Sequence, residues 1–173
     1  LYCKACEEPM VPASMSKLML YYMVFDRLKS GRLKLSDEFT VSEHAWRTGG
    51  AGTDGSTMFL KLGSKVSVEN LLKGAIIQSG NDACIVLAEG ISGSEEGFAR
   101  EATKKARELG LKSSTFANAT GLDPSPSGAG IAVTPVTRTQ WVSRTLDAHR
   151  PLFESLARTL GNNMLSRLNG AAT

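Results

Sequence analysis

Residues 14–28 read Ser-Met-Ser-Lys-Leu-Met-Leu-Tyr-Tyr-Met-Val-Phe-Asp-Arg-Leu, and their apolar side chains fall on almost every face of a helix. A helix apolar all round belongs in an interior, so this segment is expected to be largely buried. Its longest apolar run, from Leu18 to Phe25, contains two tyrosines and is far short of the roughly 20 residues that cross a bilayer. A chain of 173 residues is long enough to bury a core without metals or disulfides. With 42% apolar and 21% charged residues it has a globular composition. The balance of 20 basic and 17 acidic residues gives a net charge of +3. That is too small and too scattered for a nucleic-acid footprint. The chain opens Leu1-Tyr2-Cys3-Lys4, without a secretory signal pattern, and is read as mature or cut.

The remaining punctuation is helical. Gly31 is a stop for the first helix, and residues 39–41 read as a short strand. Residues 48–56 hold four glycines and read as a loop. Ser67 caps a helix through Leu71, Leu72, Ala75, Ile76 and Ile77, interrupted by Ser79-Gly80-Asn81. Asp82 is read as the cap of a helix over 83–91. Ser94 with Glu95 and Glu96 starts another, ending near Leu109 with Gly110 behind it. Residues 1–12 read as extended structure broken by Pro9 and Pro12. Residues 123–130 read as a turn-rich connector, and helices are expected after Thr134-Pro135 and over 152–160. The last lysine is Lys112.

Cysteine chemistry is a minor theme. Cys3 and Cys6 have C-x-x-C spacing, but a zinc site needs two more ligands, and His44 and His149 are isolated. A redox motif would open a helix after a strand, whereas Pro9 and Pro12 follow. No metal site is assigned. Cys84, inside an apolar run, reads as a small buried filler.

Two short elements carry the chemistry. Ser14 and Lys17 stand at i and i+3, on one helical face. A serine hydroxyl becomes a good nucleophile when a base takes its proton, and a lysine is such a base when burial lowers its pKa. A helix N-terminus also favours a developing oxyanion. Taken alone, the pair reads rather as a helix cap followed by a surface lysine. Ser16 is less suited, since neighbours in sequence do not share a face. Ser79-Gly80-Asn81, between two helices, can present a hydroxyl and an amide that both donates and accepts. Alone it is a plain turn.

With their flanks, Val11-Pro12-Ala13-Ser14-Met15-Ser16-Lys17-Leu18-Met19 and Ile77-Gln78-Ser79-Gly80-Asn81-Asp82-Ala83 resemble the first two motifs of the penicillin-binding, serine-type D-alanyl-D-alanine carboxypeptidases. Residues 40–50, Met58-Phe59-Leu60-Lys61-Leu62-Gly63 and Phe116-Ala117-Asn118-Ala119-Thr120-Gly121-Leu122 are similar to the same family. The resemblance is strong over residues 1–122 and faint beyond, where only His149-Arg150-Pro151-Leu152-Phe153 is similar.

The resemblance implies an α+β fold of the β-lactamase and DD-peptidase type, present mostly as its helical part with few strands of the usual sheet. It implies that Ser14 is acylated, Lys17 is its base, Ser79 relays protons and Asn81 holds the substrate amide. The backbone N–H of Ser14 would supply half the oxyanion hole. The implied substrate is a peptidoglycan stem peptide ending in D-Ala-D-Ala, with β-lactams as covalent inhibitors, no nucleic acid and no cofactor. The implied place is exported, in the periplasm or cell envelope. There Cys3 and Cys6 are free to oxidise.

The family's third motif, Lys-Thr-Gly on an edge strand, does not occur. Arg47-Thr48-Gly49 has similar chemistry but precedes Ser79, where the family has a connecting loop, and is read as a decoy. Leu1-Tyr2-Cys3-Lys4 resembles the end of the family's second strand. The chain is therefore read as one incomplete DD-peptidase-like domain: a strand remnant over 1–13, a helical core with both motifs over 14–121, and a divergent part over 122–173. Helical faces left bare by a missing sheet would favour association. The alternatives are an inactive penicillin-binding remnant and a serine β-lactamase. The latter is weaker, because the second motif is Ser-Gly-Asn and no deacylating glutamate motif stands out after Ala119.

Overall fold

The computed structural model describes residues 12–111 and 114–122. A 3-10 turn over Ala13–Ser16 leads into helix α1, Lys17–Lys29. There follow strand β1 (Glu38–Thr40), helix α2 (Glu43–Gly49), strand β2 (Lys65–Ser67) and helices α3 (Val68–Ile77), α4 (Asn81–Ser92) and α5 (Glu95–Glu108). The strands pair antiparallel, with Phe39 opposite Val66. Backbone bonds from Val41 N to Ser64 O and from Gly63 N to Val41 O, both 2.9 Å, carry the pairing past the strand ends. The α+β character with few strands is what the sequence implied.

As expected, α1 is largely buried, through Met19, Leu20, Tyr21, Met23, Val24 and Phe25. The hub, however, is α4, which packs on α1, α2, α3, α5 and β1. Its first eight residues are all buried. Small side chains permit this: a methyl group at Gly90 would run into the Phe39 ring, and one at Gly49 would sit 2.5 Å from the backbone nitrogen of Asp82. The C-terminus of α2 thus lies directly on the N-terminus of α4. Cys84 is fully buried in α4, as its apolar setting predicted. Among the described residues, no helix is long and apolar enough to cross a membrane.

Three helices begin at serines that satisfy an otherwise orphan N–H. Ser42, Ser67 and Ser94 accept from Ala45, Asn70 and Gly97 at 2.9, 3.3 and 3.0 Å. Gly31 follows α1 with φ +72°, and Gly110 follows α5 with φ +84°, a backbone conformation that glycine adopts without penalty.

Several expectations need correction. The first helix does not start as α-helix at Ser14: its opening turn, Ala13–Ser16, is 3-10 and begins at Ala13 with φ +48°. The loop predicted over 48–56 begins at Gly50, since α2 runs through Gly49. Asp82 is not a cap: α4 starts at Asn81, two residues before the expected start, with Gly80 at the N-cap and no side-chain cap bond. The carboxylate is drawn instead to the backbone N–H groups of Met58 and Leu60, which need an acceptor. One lysine does precede Ser-Gly, at Lys29-Ser30-Gly31. Ser30 N donates to Asp26 O and Gly31 N to Leu28 O, so this tripeptide closes α1 and lies on no strand. The N-terminal strand remnant, Cys3, Cys6, the connector after Leu122 and the two late helices fall outside the described residues.

Candidate active site

Lys17, the first residue of α1, is 1% exposed. Its Nζ donates to Ser79 O at 2.7 Å, Ser79 Oγ at 2.9 Å and Asn81 Oδ1 at 2.6 Å. The ammonium group has three donors, and all three are used. Burial lowers the Lys17 pKa below the usual 10.5, while Cys84 and Asp82 act in the opposite direction. Burial also pushes the Cys84 thiol up to about 12, so at neutral pH it is uncharged. Asp82 is then the remaining neighbour that favours the charged form of the amine. On the far side, Tyr21 donates to Ala75 O at 2.7 Å and ties α1 to α3.

Ser14 and the second motif meet in one cleft of about 440 Å³, lined also by Thr48, Asp54, Ser56 and Leu122. Ser14 is exposed there, Ser79 half-buried and Asn81 buried. The four sequence-derived residues, Ser14, Lys17, Ser79 and Asn81, are thus brought together. One detail differs from expectation. Among the described residues the bonds of Lys17 go to the second motif, and no hydrogen bond joins its Nζ to the Ser14 hydroxyl.

The backbone around the cleft is strained. Three non-glycine residues have left-handed φ among the described residues: Ala13 at +48°, Phe59 at +58° and Ser79 at +58°. Ala13 precedes Ser14, Ser79 belongs to the second motif, and Phe59 follows the wall of the cleft. Such strain collects at functional sites because the surrounding structure holds it in place. The segment 116–122 presses on the turn that carries Ser14. A methyl group at Gly121 would collide with the Ala13 carbonyl oxygen and with Ser16 Oγ. Ser16 is accordingly part of the packing, its hydroxyl buried without a partner among the described residues.

Sequence reasoning missed the wall residues Thr48, Asp54 and Ser56. Thr48 belongs to the Arg47-Thr48-Gly49 decoy, whose arginine is occupied by Glu43 at 2.7 Å. Nothing local marked Asp54 and Ser56, because their loop is placed by bonds from the end of α3 and the start of α4. Asn81 N donates to Ser56 O at 2.7 Å, and the Gln78 amide donates to Thr57 O.

Lys17 is thus buried and bonded to Ser79 and Asn81, and both of those residues line a cleft with Ser14. The family model described as D-alanyl-D-alanine carboxypeptidase matches residues 1–139. The chain belongs to the D-alanyl-D-alanine carboxypeptidase family. It is 47% identical over 122 residues to the D-alanyl-D-alanine carboxypeptidase DacF of Bacillus subtilis, which covers 70% of this chain and 30% of that protein. With DacC of Escherichia coli it shares 48% identity over 118 residues, 68% of this chain and 30% of the relative. Penicillin-binding protein 5 of Haemophilus influenzae superposes with a TM-score of 0.69 at 37% identity, covering 78% of this chain and 38% of that one. The chain therefore spans about 30% of the length of the curated carboxypeptidases it matches.

Proposed function

We propose that this chain carries the acylation half of a serine-type D-Ala-D-Ala carboxypeptidase, with Ser14 as nucleophile and Lys17 as its general base. The observation that carries this reading is the Lys17 amine, buried and bonded to both Ser79 and Asn81 beneath a cleft that Ser14 lines. Desolvation favours the neutral amine, the form that can accept a proton.

The chemistry follows from these positions. Ser14 Oγ attacks the carbonyl carbon of the penultimate D-alanine and its proton passes to Lys17 Nζ. The Ser14 backbone N–H steadies the oxyanion; one such donor is worth on the order of a hundredfold in rate. Collapse of the tetrahedral intermediate breaks the C–N bond, and the leaving D-alanine amine takes its proton from Lys17 through Ser79 Oγ. Asn81 orients the substrate amide. Water then cleaves the Ser14 ester and returns the enzyme. A β-lactam carbonyl enters the same step, its ring C–N bond breaking in place of the peptide bond.

The substrate class, peptidoglycan stem peptides, assigns this activity to the cell envelope, outside the cytoplasmic membrane. Exposure of the chain to benzylpenicillin followed by intact-mass measurement tests the reading. The expected result is one covalent adduct, mapped to the peptide holding Ser14 and absent from Ser14→Ala. No adduct on the wild-type chain overturns it in favour of a non-catalytic binding remnant. Rapid release of hydrolysed drug would instead mark a β-lactamase.

A further inference from the structure

The carboxylate of Asp82 is fully buried, yet the mechanism above gives it no role. It accepts four hydrogen bonds. Oδ1 takes Met58 N at 2.8 Å and Ala83 N at 2.9 Å. Oδ2 takes Thr57 Oγ1 at 2.8 Å and Leu60 N at 3.0 Å. Three of the four come from a single turn 22 to 25 residues upstream.

That turn has the form of an anion cradle. Phe59, between the two donating N–H groups, is left-handed at φ +58°. A reversal of this kind aims alternate N–H groups at one point. Phe59 is 73% exposed and gains little from burial, so packing does not explain why a bulky residue holds this conformation. The bonds from Met58 N and Leu60 N to the carboxylate do. Thr57 Oγ1 braces the turn by accepting from Phe59 N at 3.1 Å. The turn continues directly from the cleft wall at Gly55 and Ser56, and Gly80 lets it approach, with Met58 N only 3.2 Å from where a Cβ would stand.

Resting on the reading that Ser14 is acylated, we infer that Asp82 is a positioning residue for that step. Its carboxylate seats the 57–60 turn, and through it the cleft wall, against Asn81. One side chain thus holds the cleft wall in place, and its charge favours the Lys17 ammonium against the effect of burial. Cys84, the other titratable group acting on Lys17, is neutral at working pH.

Two measurements on the chain test this, using Asp82→Asn and Thr57→Val. The first is amide exchange, which needs no turnover. In Asp82→Asn the Met58 and Leu60 amides should exchange at least about tenfold faster relative to α1 amides such as that of Val24. Unchanged protection there overturns the inference. The second is the pH dependence of benzylpenicillin acylation. Asp82→Asn should acylate about tenfold more slowly or worse, and the pH at which its rate rises should move down, because a charge that favoured the ammonium is gone. A purely structural role would slow the reaction without moving that pH, so an unmoved midpoint overturns it. Thr57→Val keeps the charge and loosens the turn. It should slow acylation with the midpoint in place, and wild-type behaviour would overturn the positioning role. If Asp82→Asn fails to fold, faster exchange of the Met58 and Leu60 amides in Thr57→Val supports the inference and unchanged exchange overturns it. A wild-type chain that is never acylated sinks the proposed function, while the exchange result still reports on the cradle.

Discussion

Nζ of Lys17 lies 2.6 Å from Oδ1 of Asn81, across 64 positions of sequence. Together with Ser79 O and Ser79 Oγ this makes three acceptors around one amine, the surroundings of a protonated lysine. Removing the proton leaves two N–H groups and a lone pair. Of the three acceptors only the Ser79 hydroxyl can turn and donate. The neutral base is thus satisfied without moving a heavy atom, and Ser79 becomes the natural partner in proton exchange.

The first prediction concerns this amine. Acylation by benzylpenicillin should rise with pH through a midpoint below the ordinary lysine value of 10.5, because burial lowers the Lys17 pKa. Below that midpoint the lysine is charged and cannot accept the Ser14 proton. Lys17→Met should lower the rate by a factor of about a hundred or more and flatten the profile. A Lys17→Met chain that acylates at the wild-type rate would remove lysine from the mechanism.

Much of this architecture is written locally. Ser67 and Ser94 announce α3 and α5 because a cap is a short-range bond, and Gly31 and Gly110 mark ends because a left-handed turn is a single-residue event. The same rule misleads at Asp82, which has the composition of a cap but bonds to partners more than twenty residues away. Helix α2, which Ser42 caps, is only 7 residues long and glycine-rich beyond, so periodicity had little room to appear. Strand β2 has 3 residues and exists through its pairing with β1. The Ser14–Lys17 pair could be proposed from i and i+3 spacing. The cleft wall could not, because its loop is held by long-range bonds from Gln78 and Asn81.

A second prediction follows from Gly55. A methyl group there would collide with the Asn81 side-chain amide. That amide is the end of a side chain and can move, so the fold should tolerate Gly55→Ala with a stability change of about 0.5 kcal/mol. Moving it, however, disturbs the Asn81–Lys17 bond. Displacements near 1 Å can cost on the order of a hundredfold, so acylation should fall by about tenfold or more while the melting temperature holds. Equal losses of both would point to general destabilisation instead.

Gly121 predicts the opposite pattern. It has φ +73°, and a methyl group would meet the Ala13 carbonyl and Ser16 Oγ. Left-handed backbone costs an L-residue about 1–2 kcal/mol, and forcing the turn aside costs about 1–3 kcal/mol more. For a chain of this size each kcal/mol lowers the melting temperature by about 2–4 °C. Gly121→Ala should therefore melt lower by on the order of 10 °C and acylate poorly, since the displaced turn carries Ser14. A melting curve superimposable on wild type would show that the 116–122 segment does not brace the nucleophile.

The last prediction is a pH dependence of stability. His44 of α2 meets Glu95 of α5 at 2.7 Å, and the other Glu95 oxygen accepts from Ala119 N at 2.8 Å. Glu95 therefore joins α2 and α5 to the segment that packs behind the Ser14 turn. The hydrogen bond to Glu95 raises the His44 pKa above 6.5, with Glu89 and Glu96 adding to it and slight burial opposing it. A raised folded pKa means that protonation is favoured by folding. The contribution is complete below 6.5 and is lost as pH climbs through the raised value. The wild-type chain should thus exceed His44→Gln in melting temperature most clearly around pH 6, and the gap should narrow towards about pH 9, where the imidazole is neutral in both folded and unfolded states. A gap independent of pH would mean that the contact stabilises by packing alone, and a gap that widens at high pH would reverse the assignment of the charged form.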